Sequence, residues 1–241
     1  MARRATKMVQ IRKGDTSART IFIAGPYELA KPGQTRSDHV QVASFVQALQ
    51  ALDYDLVVLS PEEARLLKEQ GIAIPESWEV LQPEPKLIRL EAGDMTVGVV
   101  LLAAGENALD TSVRFLENEL ATSSGNRQPD VDLLLAVSSW GWHREKQFLQ
   151  RSPKAVDVLL GSNRGPYENG RYYGPERVLW IRPYTRGKAM NRVTVTNWPD
   201  RRSTASAAQA AGRLRADLVV IKSSLPKHPR IDSLFDQASK R

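Results

Sequence analysis

The first half of the chain alternates short apolar runs with segments of helical period. Thr20–Gly25 (TIFIAG) is β-branched and apolar, is stopped by Gly25-Pro26, and predicts a buried strand. After a loop containing Lys31-Pro32-Gly33, Ser37 stands at a helix start whose apolar positions are Val40, Ala43, Val46 and Leu49. Asp55–Leu59 (DLVVL) predicts a second buried strand. Ser60-Pro61-Glu62-Glu63 then supplies a capping box with proline at the first helical position, opening a helix to about Gln70 that closes near Gly71. Strand, helix, strand, helix is the order of crossover connections and parallel pairing.

The pattern then changes. Lys86–Glu91 alternates, Ala92-Gly93-Asp94 turns, and Met95–Leu102 continues as a strand, which predicts a hairpin. Leu109–Leu120 reads as a helix with Val113, Leu116 and Leu120 on one face, and Ser123–Pro129 as a polar loop. Val131–Val137 and Val156–Leu160 read as buried strands flanking a short helix over His143–Gln150. Residues 161–174 (GSNRGPYENGRYYG) have loop composition, and Arg177–Ile181 and Arg192–Thr196 alternate as strands. The tail reads as an alanine-rich basic helix over about 203–215, a strand at Asp217–Ile221 and a final amphipathic stretch.

Composition bounds what such a chain does. The 241 residues are 41% hydrophobic and 25% charged, as in globular proteins, and a chain of this length buries most of its apolar surface unaided. The absence of cysteine excludes disulfides, thiolate metal sites, a cysteine nucleophile, iron–sulfur ligation and covalent haem attachment. No apolar run reaches the roughly 20 residues of a membrane span, and the basic start is not a signal peptide, which leaves the compartment open. The net charge of +7 is a difference between opposed regions: +5 over residues 1–20, −10 over 21–143 and +12 over 144–241. Local fields steer partners, so the total alone does not make this a nucleic-acid binder.

The densest chemistry lies between Leu133 and Gly165, where two buried strands each end in a loop of small residues: Ser138-Ser139-Trp140-Gly141 and Gly161-Ser162-Asn163-Arg164-Gly165. Ligands of open α/β sheets bind at strand C-termini, and both loops should open on one sheet edge. The arrangement resembles the metallophosphoesterases of the bacterial 5′-nucleotidase type, in which one strand ends in Ser-His-x-Gly, the next in Gly-Gly-His-x-His, and the histidines bind two metal ions. The likeness continues in Gly93–Val100, similar to the family's Gly-x-Lys-Val-Gly-Val-Ile-Gly strand, and in Leu52–Val57, similar to its Leu-Gly-Tyr-Asp-Ala-Val segment. Ala2-Arg3-Arg4-Ala5 followed by Ile23-Ala24-Gly25 resembles its Ala-Arg-Arg-Ala helix running to an Ala-Gly-Asp strand end. The implied fold is an α/β layered sandwich of mixed sheets flanked by helices. It is N-terminally shortened, because the family's first strand with Asp-x-His would precede Met1. Residues 1–200 would form that domain, with 201–241 a basic C-terminal extension packed on it.

A two-metal site needs carboxylates and histidines to hold the cations, and here the matching positions differ. Pro26 stands at the bridging aspartate, Leu59-Ser60-Pro61-Glu62 at Gly-Asn-His-Glu, Ser139 at the Ser-His histidine, and Asn163 and Gly165 at the paired histidines. The resemblance therefore implies a degenerate member with no catalytic residues, no metal and no cofactor. Its family is usually exported.

Other chemistry is thin. His39, His143 and His228 do not pair at helical or hairpin spacing, and Ser138 and Ser139 lack both a Gly-x-Ser-x-Gly elbow and an evident histidine base. Arg164, Arg171, Arg186 and Lys188 are candidates for holding an anion without metal. Trp140, Trp142, Tyr172 and Tyr173 are candidates for cleft filling or a protein interface. The expectation is a binding or structural subunit with a protein partner. The alternatives are an active phosphoesterase with relocated ligands and, less favoured, a nucleic-acid binder using the basic second half.

Overall fold

The computed structural model describes residues 1–14, 19–33, 39–119, 131–151, 156–174, 178–183, 187–196 and 214–238. The chain divides into two compact units, one of Met1–Val80, Thr185–Met190 and Val220–Arg241, the other of Leu81–Tyr184 and Asn191–Val219.

In the first unit, helix α1 (Ala2–Gly14) precedes strand β1 (Ile23–Ala24), helix α2 (His39–Ala51), strand β2 (Leu56–Leu59), helix α3 (Pro61–Glu69) and strand β3 (Trp78–Val80). The three strands form one parallel sheet in the order β1-β2-β3, with Ile23 beside Leu56 and Val57 beside Trp78. All four residues of β2 are buried, as expected for a central parallel strand covered on both faces. The capping box forms as the sequence predicts: Ser60 Oγ accepts from the Glu63 amide, and the Glu63 carboxylate accepts from the Ser60 amide. The C-terminal helix α6 (Pro229–Ala238), the predicted amphipathic stretch, buries Ile231 with Ala2, Ala5, Met8, Ala48 and Leu52. Phe235 also meets Phe45 edge to face at 5.0 Å.

The second unit is built on six strands: β4 (Lys86–Ala92), β5 (Met95–Leu101), β6 (Leu133–Val137), β7 (Val158–Leu160), β8 (Glu168–Tyr173) and β9 (Val178–Arg182). Their order is β4-β5-β6-β7-β9-β8. The β4–β5 hairpin is antiparallel around the Gly93 turn, β5, β6, β7 and β9 are parallel neighbours, and β8 closes the far edge antiparallel to β9. Helices α4 (Ala108–Glu119) and α5 (Trp142–Gln150) follow β5 and β6. Leu116, Leu134, Phe148, Leu149, Leu159 and Trp180 meet in the core. A separate two-stranded ribbon pairs β10 (Ala189–Val195) with β11 (Leu214–Val220).

Three elements depart from the sequence expectation. Residues 168–173 form β8 rather than loop, with a register shift between Asn169 and Arg171. Gly170 sits at that shift with φ 76°, and a Cβ there would stand 2.0 Å from the Cβ of Ala216. A bulge glycine in close contact therefore produced the loop-like composition. Residues 214 and 215 belong to β11, so the predicted basic helix does not extend over them; its remainder, 203–213, lies outside the described residues, as does Ser37. The α1 helix falls where the Ala-Arg-Arg-Ala resemblance implies one, and it buries Ala2, Ala5 and Met8 at helical spacing. The three-residue β3 was too short to read. Among the described residues no helix is long and apolar enough to cross a membrane.

Candidate functional site

Each unit carries two of the loops singled out by the sequence. In the first, Pro26 ends β1 and is followed by Tyr27 in a left-handed conformation (φ 71°). The neighbouring loop is Ser60-Pro61 at the head of α3. A single side chain knits the two together. Glu63, with no solvent exposure, accepts from the backbone amides of Tyr27 (2.8 Å), Leu29 (2.8 Å) and Ser60 (2.9 Å), and from Ser60 Oγ (3.0 Å). Burial pushes its carboxyl above the ordinary value, against the downward pull of those hydrogen bonds. Glu62 accepts from the Tyr27 hydroxyl at 2.6 Å, and burial followed by that hydrogen bond raises the phenol. Arg4 of α1 pairs with Glu28 at 2.7 Å. The carboxylates here are spent on backbone amides, a hydroxyl and an arginine.

In the second unit, the Ser138–Gly141 and Gly161–Gly165 loops do open side by side, because β6 and β7 are parallel neighbours. Asn163, left-handed at φ 67°, donates from Nδ2 to the Ser139 carbonyl at 2.8 Å and accepts from the Arg164 amide at 2.7 Å. The Trp142 amide donates to the Arg164 carbonyl at 3.1 Å, completing the join between the loops.

Beneath them lies an ion pair that the sequence did not announce. Glu145 of α5 and Arg182 at the end of β9 bond directly, with side chains 0% and 2% exposed. Glu145 also accepts from Ser138 Oγ (2.7 Å), the Ser162 amide (3.0 Å) and Trp180 Nε1 (3.0 Å). Arg182 donates from Nε to the Pro166 carbonyl (2.9 Å) and from Nη2 to the carbonyls of Ser162 (2.8 Å), Asn163 (3.0 Å) and Arg164 (3.0 Å). A buried charge persists only when paired and hydrogen-bonded, and both partners meet that condition. Each residue alone carries a signal, although neither points to the other. Glu145 falls three and four residues before Phe148 and Leu149, hence on the apolar face of α5. Arg182 ends an otherwise fully apolar strand.

The aromatic candidates pack inward to different degrees. Trp140 Nε1 donates to the Ala103 carbonyl at 2.7 Å and its ring meets Phe148 at 5.5 Å. Trp142 lies 6.0 Å from Trp180 and carries Lys146 over its ring at 5.0 Å. Tyr173 contacts Trp180 edge-on at 5.9 Å, and Tyr172 donates to the Leu214 carbonyl at 2.6 Å. Of the basic candidates, Arg164 and Arg171 are exposed in the second unit, Lys188 is exposed in the first, and Arg186 lies outside the described residues. His143 is exposed beside Trp142, and His228 keeps a buried Nδ1 without a hydrogen-bond partner.

The architecture is that of known metallophosphoesterases. The Thermus thermophilus sulfate thiohydrolase SoxB superposes with a TM-score of 0.67 at 12% identity, over 99% of this chain and 46% of that one. The calcineurin-like phosphoesterase YfkN of Bacillus subtilis gives 0.63 at 8%, over 98% and 88%. The 5′-nucleotidase of Candida albicans gives 0.59 at 10%, over 98% and 52%. The chain thus has the metallophosphoesterase fold and spans about half the length of two of these three proteins. No protein-family model matches the sequence, and no curated protein does either.

The residues present do not fit the two metal ions this fold implies. Among the described residues, no three His, Asp or Glu side chains gather as a metal site. Gly165, which the sequence resemblance sets against a histidine, has φ 130°, and a Cβ there would lie 2.4 Å from the Trp142 Cβ. Asn163 is committed to the Ser139 carbonyl, and the carbonyls of the second loop face a guanidinium.

Proposed function

We propose that this protein is a catalytically inactive metallophosphoesterase-like subunit whose role is binding or structural. The observation that carries this reading is the occupation of the ligand loops by the protein's own groups. Proline, serine, asparagine and glycine stand at the metal positions, and the buried Glu145–Arg182 pair bonds to the loop backbone where open ligands would be required. A dimetal hydrolase works by activating water between cations, and no donor set for that exists among the described residues. Exposed Arg164 and Arg171 supply anion contacts without metal. Trp142 and Tyr172, only partly buried, are the aromatic contacts of a protein interface.

The test is turnover. Purified protein supplemented in turn with manganese, zinc, calcium and magnesium is expected to leave nitrophenyl phosphate and bis-nitrophenyl phosphate uncleaved above a metal-only blank. Native purification is expected to deliver it in a complex larger than the 26.9 kDa chain. Metal-dependent turnover that follows the protein through size exclusion would restore the enzyme reading.

A further inference from the structure

Arg182 sits in an unusual setting for an arginine. Four backbone carbonyls from one loop, those of Ser162, Asn163, Arg164 and Pro166, converge on its guanidinium at 2.8–3.0 Å, and the Glu145 carboxylate closes the fifth side. Convergent carbonyl dipoles repel each other, and a loop folded so that they point at one place needs a cation there. The left-handed Asn163 and the positive φ of Gly165 turn these carbonyls inward. Guanidinium suits the position because its planar fork offers five donors in fixed directions. Its three nitrogens are engaged here, with the two Nη2 protons shared among three carbonyls.

We infer that the Gly161–Pro166 loop with Glu145 is a guanidinium-binding site, filled by the chain's own Arg182. This internal cation orders the two loops that a bound metal would otherwise order. The inference concerns how the loops are held, and it stands or falls separately from the binding role proposed above. It also explains the pattern of small residues. Gly161 has no room for a side chain, since a Cβ there would come within 2.0 Å of Glu145 Oε2, and a Cβ at Gly165 would come within 2.4 Å of the Trp142 Cβ. Gly161 lets the carboxylate lie against the backbone, and Gly165 lets its loop pass close to Trp142.

The experiment removes the tethered cation and offers a free one. Arg182→Ala is expected to lower the thermal midpoint by about 10 °C, given the usual consequence of breaking a buried pair in a domain of this size. Methylguanidinium at millimolar concentration is expected to recover part of that loss saturably, while leaving the wild-type midpoint unchanged or lower. Urea, ammonium, magnesium and manganese are expected to give no recovery, and Arg182→Ala/Glu145→Gln is expected to lose the response. A midpoint that methylguanidinium only depresses, or that manganese restores better, would overturn the assignment. If Arg182→Ala does not fold, Arg182→Lys answers instead. Lysine keeps the charge without the fork, so exchange of the Trp142 and Ser162 amides should quicken about tenfold or more relative to β6 amides. Unchanged protection in that variant would overturn the assignment as well.

Discussion

Placing histidines at the positions the resemblance assigns to them is the sharpest challenge to the proposed absence of a metal centre. Consider Ser139→His, Asn163→His and Gly165→His, singly and together. At Gly165 the backbone is at φ 130°, and a Cβ meets the Trp142 Cβ at 2.4 Å, a distance at which something must move. A side chain in so sparsely populated a region costs about 1–3 kcal/mol, and forcing it into packed surroundings adds about 1–3 kcal/mol. At Asn163 the left-handed backbone costs a histidine about 1 kcal/mol more than asparagine, and the lost bond to the Ser139 carbonyl costs about another 1 kcal/mol. Ser139 is nearly buried, so an imidazole there also strains the loop. The triple variant should therefore lose about 6 kcal/mol, comparable to the whole stability of many domains. Urea unfolding of each variant, with and without manganese, measures this. We expect Gly165→His to be the worst single change, and manganese to stabilise none of them. A Gly165→His protein as stable as wild type, or a triple variant stabilised by micromolar manganese, would refute the reasoning.

Two further outcomes follow from the same geometry. Burial raises the Glu63 carboxyl above its ordinary value of 4.5, so the folded state holds that proton more tightly than the unfolded state. Its contribution to stability should therefore fall as pH rises from 4.5 through the raised value. The urea midpoint of wild type should accordingly fall relative to that of Glu63→Gln across that window, and a difference that stays flat or moves in favour of wild type as pH rises would contradict the assignment. Gly170→Ala should cost at least about 2 kcal/mol through its positive φ and the collision with Ala216. Chemical denaturation showing less than about 0.5 kcal/mol would mean that the β8 bulge is not held as described.

What could be read from the sequence depended on how locally each feature is determined. The buried strands β5, β6 and β7 were plain because parallel strands covered on both faces are continuously apolar. The α3 capping box was plain because its donors and acceptors lie within four residues. β8 was hidden because its bulge glycine and polar edge residues have the composition of a loop. The apolar framework around the Ser138–Gly141 and Gly161–Gly165 loops was visible, and so was the absence of histidine from both. The ion pair beneath those loops was not visible, since Glu145 and Arg182 are 37 residues apart and meet only once β9 lies beside β7. The basic excess over residues 144–241 acquires a local meaning from that pair: one of its positive charges is an internal cation, fully buried and held by the loop itself.

In the reading proposed here, the loops of a two-metal fold are closed by the protein's own side chains. Elemental analysis of the purified, unchelated protein tests it most directly, with manganese, iron, zinc and calcium counted per chain after equilibration with each ion and desalting. The protein is expected to hold no stoichiometric metal and to keep its thermal midpoint when chelator is added. Retention of about two equivalents per chain, with a midpoint that drops on chelation, would contradict it.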